Sequence, residues 1–233
     1  MISVVTPVYG NASTLEELAR RLGGALDPAP WTLRFVLDAS PDDSLAVAMR
    51  LAVDDPRLSV TALRRNIGQH RALLAGLAAE KVPEQVPEQV PENQAEVWVC
   101  LDADLQDPPE AVPALMERLA EGDVSVVFAG RRGAYESPAR LLTGRLHRAV
   151  QTRLTGVPAD AGAFLAMDRR ARDALLTLDP PSVVAGVGAA GVRAVSLPVE
   201  RARRPSGRSA WTSTSRLRQS ARSLAWAART HIG

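Results

Sequence analysis

The sequence predicts an α/β protein, a mostly parallel sheet flanked by helices, in a single domain with a basic C-terminal segment. Three observations predict it. Short β-branched runs alternate with stretches of helical periodicity, the pattern of successive βαβ units. The run Val97 to Leu101 is apolar throughout, as a strand buried on both faces must be. Polar clusters follow the second, third and fourth runs, where open parallel sheets place their ligands.

Ile2 to Pro7 reads as a first strand, ended by a Pro-Val-Tyr-Gly turn. Ser13 or Thr14 is placed to cap a helix on which Leu15, Leu18 and Leu22 share a face. Trp31 to Leu37 is a second strand and ends in Asp38-Ala-Ser-Pro-Asp-Asp-Ser44, before a helix from about 44 to 53. Leu58 to Leu63 is a third strand, leading through Arg65–His70 into a helix that runs to Ala79. Residues 82–93 repeat Val-Pro-Glu-Gln, Val-Pro-Glu-Gln, Val-Pro-Glu-Asn. A proline at every fourth position forbids a regular helix or a central strand, so this is an exposed insertion. Val97 to Leu101 is the fourth strand, Pro113 to Glu121 a helix and Val124 to Ala129 a further strand.

A chain of 233 residues is long enough to bury a sizeable core, and 46% hydrophobic with 23% charged residues excludes wholesale disorder. No apolar run approaches membrane-spanning length, and the start has no basic region of a signal peptide. Cys100 is the single cysteine, which suits a reducing cytoplasm, and its apolar neighbours make it a core residue rather than a nucleophile. Charge is segregated. Lys81 is the one lysine, and after Glu200 eight arginines follow with no acidic side chain. Such a tail suits a phosphorylated ligand, an anionic membrane surface or nucleic acid.

The chemistry centres on Asp102-Ala103-Asp104. Residues i and i+2 of an extended segment point the same way, so both carboxylates can face one cation, and hard oxygen ligands suit Mg²⁺ or Mn²⁺. A bare Asp-x-Asp occurs often by chance, but here it continues as Leu105-Gln106-Asp107-Pro108-Pro109-Glu110.

That string resembles the D-A-D-L-Q-D-P-P-E of family 2 glycosyltransferases with the GT-A fold, particularly dolichyl- and polyprenyl-phosphate sugar transferases. Val4-Val5-Thr6-Pro7-Val8-Tyr9 resembles the family's opening strand and turn. Asp38 to Ser44 resembles D-G-S-x-D-x-S/T with Ala39 in place of glycine, and Asn66 to Ala72 resembles N-x-G-x-x-x-A. The resemblance implies an inverting transfer from a nucleoside-diphosphate sugar to a polyprenyl-phosphate or hydroxyl acceptor. Thr6, Pro7 and Tyr9 would line the base pocket, and Asp38 would contact base or ribose. Asp102 and Asp104, with Gln106, would surround metal and diphosphate. Asp38 also stands where a helix cap is needed, and Ser40 or Asp42 is placed to take that task instead.

In the second half, Gly130-Arg131-Arg132 and Arg140-Leu-Leu-Thr143-Gly144-Arg145 resemble the segment that holds the acceptor phosphate, with Gly144 where the family has serine. Arg131, Arg140 and Thr143 would cradle that phosphate, while Arg140, Arg145 and Arg148 equally suit the wet face of a helix from about 138 to 154. Asp160, before Gly162-Ala-Phe164, is the candidate base for a hydroxyl acceptor, and is equally at home as a turn aspartate. Arg204 and Ser209 lie in a segment resembling R-x-x-G-x-S-x-Y, expected to close over the diphosphate as a lid. Residues 215–230 have the spacing of a basic amphipathic helix, suited to an anionic membrane or, preferably, to the protein's own sheet. The expected organisation is a catalytic domain over 1–200 and a lid and helix over 201–233, cytoplasmic, with peripheral contact to the membrane. Other readings stand beside this one, among them a degenerate, non-catalytic transferase acting as a binding partner, against which the intact Asp102-Ala103-Asp104 argues. A sugar-phosphate nucleotidyltransferase needs a glycine-rich, lysine-bearing loop near the first strand, which is missing. A nucleic-acid binder needs aromatics interleaved with arginine, and the aromatic content is 4%, so no nucleic-acid partner is expected.

Overall fold

A computed structural model describes residues 1–80, 96–132, 156–202 and Trp226. The elements are β1 (Ile2–Val8), α1 (Leu15–Leu26), β2 (Trp31–Leu37), α2 (Ser44–Asp54), β3 (Leu58–Ala62), α3 (Gln69–Ala79) and β4 (Val97–Cys100). A short 3₁₀ turn (Pro109–Ala111) then leads into α4 (Val112–Ala120), β5 (Val126–Arg132), β6 (Leu165–Met167), α5 (Arg169–Leu178), α6 (Val183–Ala189) and β7 (Ala194–Glu200). Seven strands form one sheet in the order β3-β2-β1-β4-β6-β5-β7. All neighbours are parallel except those of β6, which runs antiparallel to both β4 and β5.

Strand alternation sorts the core into two layers. Ile2, Val4, Leu33, Phe35, Val99 and Val127 face one side, under α1, α2 and α4. Val5, Val36, Trp98, Cys100, Val126 and Phe128 face the other, under α3, α5 and α6. The all-buried β1 is what a central strand with both faces covered requires. It tolerates Pro7 because β1 pairs with β4 only as far as Val5, so the missing N–H lies on the side where that ladder has ended. α3 lies directly on the sheet: a Cβ on Gly76 would come within 2.4 Å of Val5 Cγ1 and 2.7 Å of Val36 Cγ2.

The predicted elements from β1 to β4 stand within a few residues of their expected bounds. β5 runs three residues further than expected, so Gly130, Arg131 and Arg132 continue a strand paired with Pro198, Val199 and Glu200 of β7. β6 and β7 carry weaker signals. Leu165-Ala-Met167 is three residues without a β-branched side chain, and β7 holds Pro198, which is tolerated because β7 is a sheet edge. Two short helices announce themselves by their caps: Asp168 accepts from Ala171 N at 2.8 Å and Ser182 from Ala185 N at 3.2 Å.

The ends that flank the proline repeat are both tied to α5. Buried Arg172 donates to Leu77 O and Glu80 O and stacks 5.1 Å from the Trp98 ring centroid. Arg169 pairs with Glu96 at 2.6 Å, and Arg34 with Glu80 at 2.6 Å. The repeat itself, and the expected helices over 138–154 and 215–230, lie outside the described residues, apart from Trp226, which is helical. No helix among the described residues is long and apolar enough to cross a membrane.

Candidate active site

The polar clusters gather at the carboxyl ends of the parallel strands, and each loop there is bonded to another. The turn after β1 is held by the loop after β2: Gly10 N donates to Ser40 Oγ at 2.7 Å, Asn11 N to Ser44 Oγ at 3.1 Å and Ala12 N to Asp42 Oδ2 at 3.0 Å. Asp42 is the hub of this group and also accepts from the hydroxyls of Ser40 and Ser44 at 2.6 Å each. Burial works against its charged form, but the hydrogen bonds from Ser40, Ser44 and two backbone amides outweigh it and bring the carboxyl down to about 2. Asp42 also receives the amide of Ser44, so the first turn of α2 is served by Asp42.

Asp38 links the loops after β2 and β3. Its carboxylate is 3% exposed and accepts from Ile67 N at 2.7 Å and Gly68 N at 2.8 Å, while Asn66 Nδ2 donates to its backbone oxygen at 3.3 Å. The N-x-G string is thereby explained: Gly68 has φ 90° and ψ 152°, a conformation reserved for glycine, and starts α3. Ala39, in the glycine position of the resemblance, has φ 52°. The left-handed backbone accounts for the glycine usual there and leaves this chain with local strain.

Asp102 and Asp104 follow β4, at the middle of the sheet. Asp102 Oδ1 accepts from Gln69 Nε2, at the start of α3, and its Oδ2 lies 3.7 Å from Arg201 Nη2. Asp104 Oδ1 accepts from Gln106 N at 3.1 Å, and Leu105 between them has φ 57°. Thr14 occupies the cap position of α1, but its hydroxyl donates to Asn11 O and to Ala103 O at 2.6 Å, so it braces the aspartate loop instead of capping the helix.

Arg201, just past β7, closes the line. It forks onto Asp107, with Nη2 3.1 Å from Oδ2 and Nε on Oδ1, and Ala202 N donates to Gln106 O at 2.9 Å. Both side chains are almost wholly buried. Burial opposes the Arg201 charge, but the Asp107 hydrogen bond and the charges of Asp107, Asp102 and Asp104 prevail and raise its pKa.

Of the residues expected to line a base pocket, Thr6 and Pro7 are buried within β1, and Thr6 has no exposed surface. Tyr9 stands open at the strand's end. Asp160 lies at the same end of the sheet, beside β5: a Cβ on Gly130 would meet its carboxylate at 2.3 Å and Ser196 Oγ at 2.2 Å. Arg131 is in β5, while Arg140, Thr143, Arg204 and Ser209 lie outside the described residues. Sequence reasoning passed over Gln69, Asp107 and Arg201. The first two stand inside strings already singled out, but nothing local marks one arginine among eight.

Among the described residues, no three His, Cys, Asp or Glu side chains converge on one point as a closed metal cage would need. Two carboxylates separated by one residue nevertheless fit Mg²⁺ or Mn²⁺. Such cations bind through one or two carboxylates and leave their remaining positions to water and phosphate.

Residues 3–176 match the family described as Glycosyl transferase family 2. The undecaprenyl-phosphate 4-deoxy-4-formamido-L-arabinose transferase of Pseudomonas syringae pv. syringae (strain B728a) is 36% identical over 174 residues, 72% of this chain and 47% of that protein. An uncharacterized glycosyltransferase of Bacillus subtilis (strain 168) is 30% identical over 181 residues, 76% of this chain and 52% of its own length. The chain therefore spans about half the length of the curated relatives it matches. Among solved structures, a Pyrobaculum calidifontis mannosyltransferase in complex with GDP-Man and Mn²⁺ superposes with TM-score 0.65 at 21% identity, over 98% of this chain and 64% of that one. Glucosyl-3-phosphoglycerate synthase from Mycobacterium tuberculosis, in complex with Mn²⁺, UDP and glucosyl-3-phosphoglycerate, gives TM-score 0.65 at 19% identity, over 99% and 79%. These likenesses show the fold, the GT-A sheet of nucleotide-sugar transferases.

Proposed function

The chain belongs to glycosyl transferase family 2, and from that premise we propose that it transfers a sugar, with inversion, from a nucleoside-diphosphate sugar to a polyprenyl phosphate. The observation that carries this reading is the pair Asp102 and Asp104 at the end of central strand β4, braced by Gln69, Thr14 and Arg201. Asp102 and Asp104 would hold Mg²⁺ or Mn²⁺, which supplies positive charge to the leaving diphosphate when bound. The chain's own residues do the rest. Tyr9, exposed at the end of β1, would offer a base a ring to stack on. Arg201 adds a fixed cation on the diphosphate side. Family membership favours sugar transfer over nucleotidyl transfer.

What supports this acceptor is that several relatives are named as undecaprenyl-phosphate sugar transferases. An ionised phosphate needs no base, so Asp160 would then orient the acceptor, and Arg131, Arg140 and Thr143 would bind its phosphate. Arg204 and Ser209 would close on the diphosphate. A hydroxyl acceptor is the second reading. It is favoured by one observation: the Asp160 carboxylate lies toward the carboxyl end of β5, beside Gly130 and Ser196, where a base for a hydroxyl acceptor would be needed. A polyprenyl acceptor would bring the protein to a membrane surface.

The test is nucleotide release from UDP- and GDP-sugars, with Mn²⁺ or Mg²⁺, in the presence of detergent-dispersed undecaprenyl phosphate. Wild type is expected to release nucleotide only with acceptor and metal, and Asp104→Ala to lose at least about a hundredfold in rate while melting normally. Unchanged turnover in Asp104→Ala would remove the metal assignment. Turnover with a soluble hydroxyl acceptor but not the lipid would select the second reading.

A further inference from the structure

Three carboxylates, Asp102, Asp104 and Asp107, stand within six residues of one another, and among the described residues Arg201 reaches two of them, Asp102 and Asp107. Its fork is occupied by Asp107 on one edge, while Nη2 also lies 3.7 Å from Asp102 Oδ2. The Arg201 side chain is 10% exposed, so solvent screens its charge poorly. Ala202 N bonded to Gln106 O at 2.9 Å ties together the two segments that carry the pair, beside Arg201 and Asp107.

A fixed positive charge in that place does two opposite things. It opposes a divalent cation settling on Asp102, because like charges a few ångströms apart repel strongly in a poorly screened site. It also favours the anionic oxygens of a diphosphate, which present it with a second partner of the right geometry. Neither effect belongs to a mere latch between two loops, for which the Asp107 fork alone would do.

We propose that Arg201 couples the two ligands of the donor site, holding bare divalent cation off the Asp102–Asp104 pair and accepting it together with a nucleoside diphosphate, so that donor and metal enter as one complex. This rests on the donor-site reading above. The coupling is reciprocal: whatever factor the nucleotide contributes to metal affinity, the metal contributes to nucleotide affinity. Arginine suits the task better than lysine, since a planar fork can keep Asp107 on one edge while another N–H faces the incoming phosphate.

The experiment is calorimetric titration and Mn²⁺ electron paramagnetic resonance on the whole chain. Mn²⁺ alone, UDP or GDP alone, and Mn²⁺ with each nucleotide are titrated into wild type, Arg201→Lys and Arg201→Met. Wild type is expected to bind Mn²⁺ at least about tenfold more tightly when a nucleotide is present. Arg201→Met is expected to bind Mn²⁺ alone more tightly than wild type, and its coupling factor to fall by about tenfold. Arg201→Lys, which keeps the charge, is expected to bind Mn²⁺ alone as wild type does.

Because Arg201→Met strands the buried Asp107 carboxylate, Arg201→Met/Asp107→Asn carries the same titration free of that orphan charge. Parallel weakening of Mn²⁺ alone and of Mn²⁺ with nucleotide, with an unchanged coupling factor, overturns the proposal and reduces Arg201 to a structural latch. Failure of wild type to bind either nucleotide with Mn²⁺ overturns the donor-site reading itself, and is distinguishable because it appears before any variant is compared.

Discussion

Replacing Asp38 with asparagine separates two roles that a buried aspartate at this position can play. Its carboxylate receives the amides of Ile67 and Gly68 at 2.7 and 2.8 Å and has almost no exposed surface. Asparagine keeps the volume and one acceptor oxygen, but turns an NH₂ group toward one of the two amide donors. The variant thus loses one charge-assisted bond, weakens the other and leaves a buried N–H facing another donor. Hydrogen bonds to a charged group contribute about 1.5–3 kcal/mol each, and a stranded buried donor costs a similar amount, so the loss is about 2–4 kcal/mol. For a chain of this size that corresponds to a fall in Tm of roughly 5–15 °C. Thermal unfolding followed by circular dichroism measures it directly, with Mn²⁺-dependent UDP and GDP binding measured below the transition. A Tm within about 2 °C of wild type, together with lost nucleotide affinity, would refute the reasoning. Asp38 would then serve the ligand, and the Asn66–Gly68 turn would hold itself.

Three further outcomes follow from single observations. Ala39→Gly is expected to raise stability by about 0.5–1 kcal/mol, since relief of the left-handed backbone at φ 52° outweighs the added freedom of the unfolded chain; a lower melting temperature would contradict it. Cys100 is fully buried, and burial, with the Asp102 charge adding to it, pushes the thiol up to about 12. The native protein is therefore expected to resist Ellman's reagent at pH 8 and to react at once in denaturant, so rapid native labelling would show that the β4 end opens. Deleting residues 82–93 is expected to move Tm by no more than about 2 °C, because Leu77, Glu80 and Glu96 are held by Arg172 and Arg169, one turn apart on α5. A cooperative loss of folding would give the repeat a structural role.

The first half of the sheet was legible because its strands carry β-branched runs and its helices an apolar stripe. α1 shows it most plainly, with Leu15, Leu18, Leu22 and Leu26 all buried. β6 escaped notice because three residues without β-branching carry no periodic signal, and its antiparallel direction depends on partners on both sides. Asp102 and Asp104 were legible for a simple reason: neighbours in the chain stay neighbours in space when a strand ends beneath them. Arg201 meets Asp107 across 94 positions, and only the completed sheet, with β7 running parallel beside β5, brings them together. Thr14 taught the reverse lesson. Its residue type and position matched a helix cap, but its hydroxyl was taken by a carbonyl 89 residues away.

Two of the three non-glycine residues with positive φ, Ala39 and Leu105, lie in the loops that carry Asp42 and Asp104. A left-handed alanine or leucine costs about 1–2 kcal/mol, so neither loop holds its shape by its own preference. What holds them is bonding to other loops: Ser40 and Asp42 to the turn after β1, Ala103 to Thr14, and Gln106 to Ala202. Each such bond contributes about 1 kcal/mol, enough in sum to offset the strain but not in any one contact. The site is therefore a property of five loops together, those after β1, β2, β3, β4 and β7, and each is stable in its working shape only while its neighbours are in place. Substitutions in bonded loops must then couple, Thr14 with Asp104 for instance, while those in unconnected parts of the sheet add independently. Strain shared in this way lets the loops at the carboxyl ends of the strands keep a defined shape without the closed packing of a core.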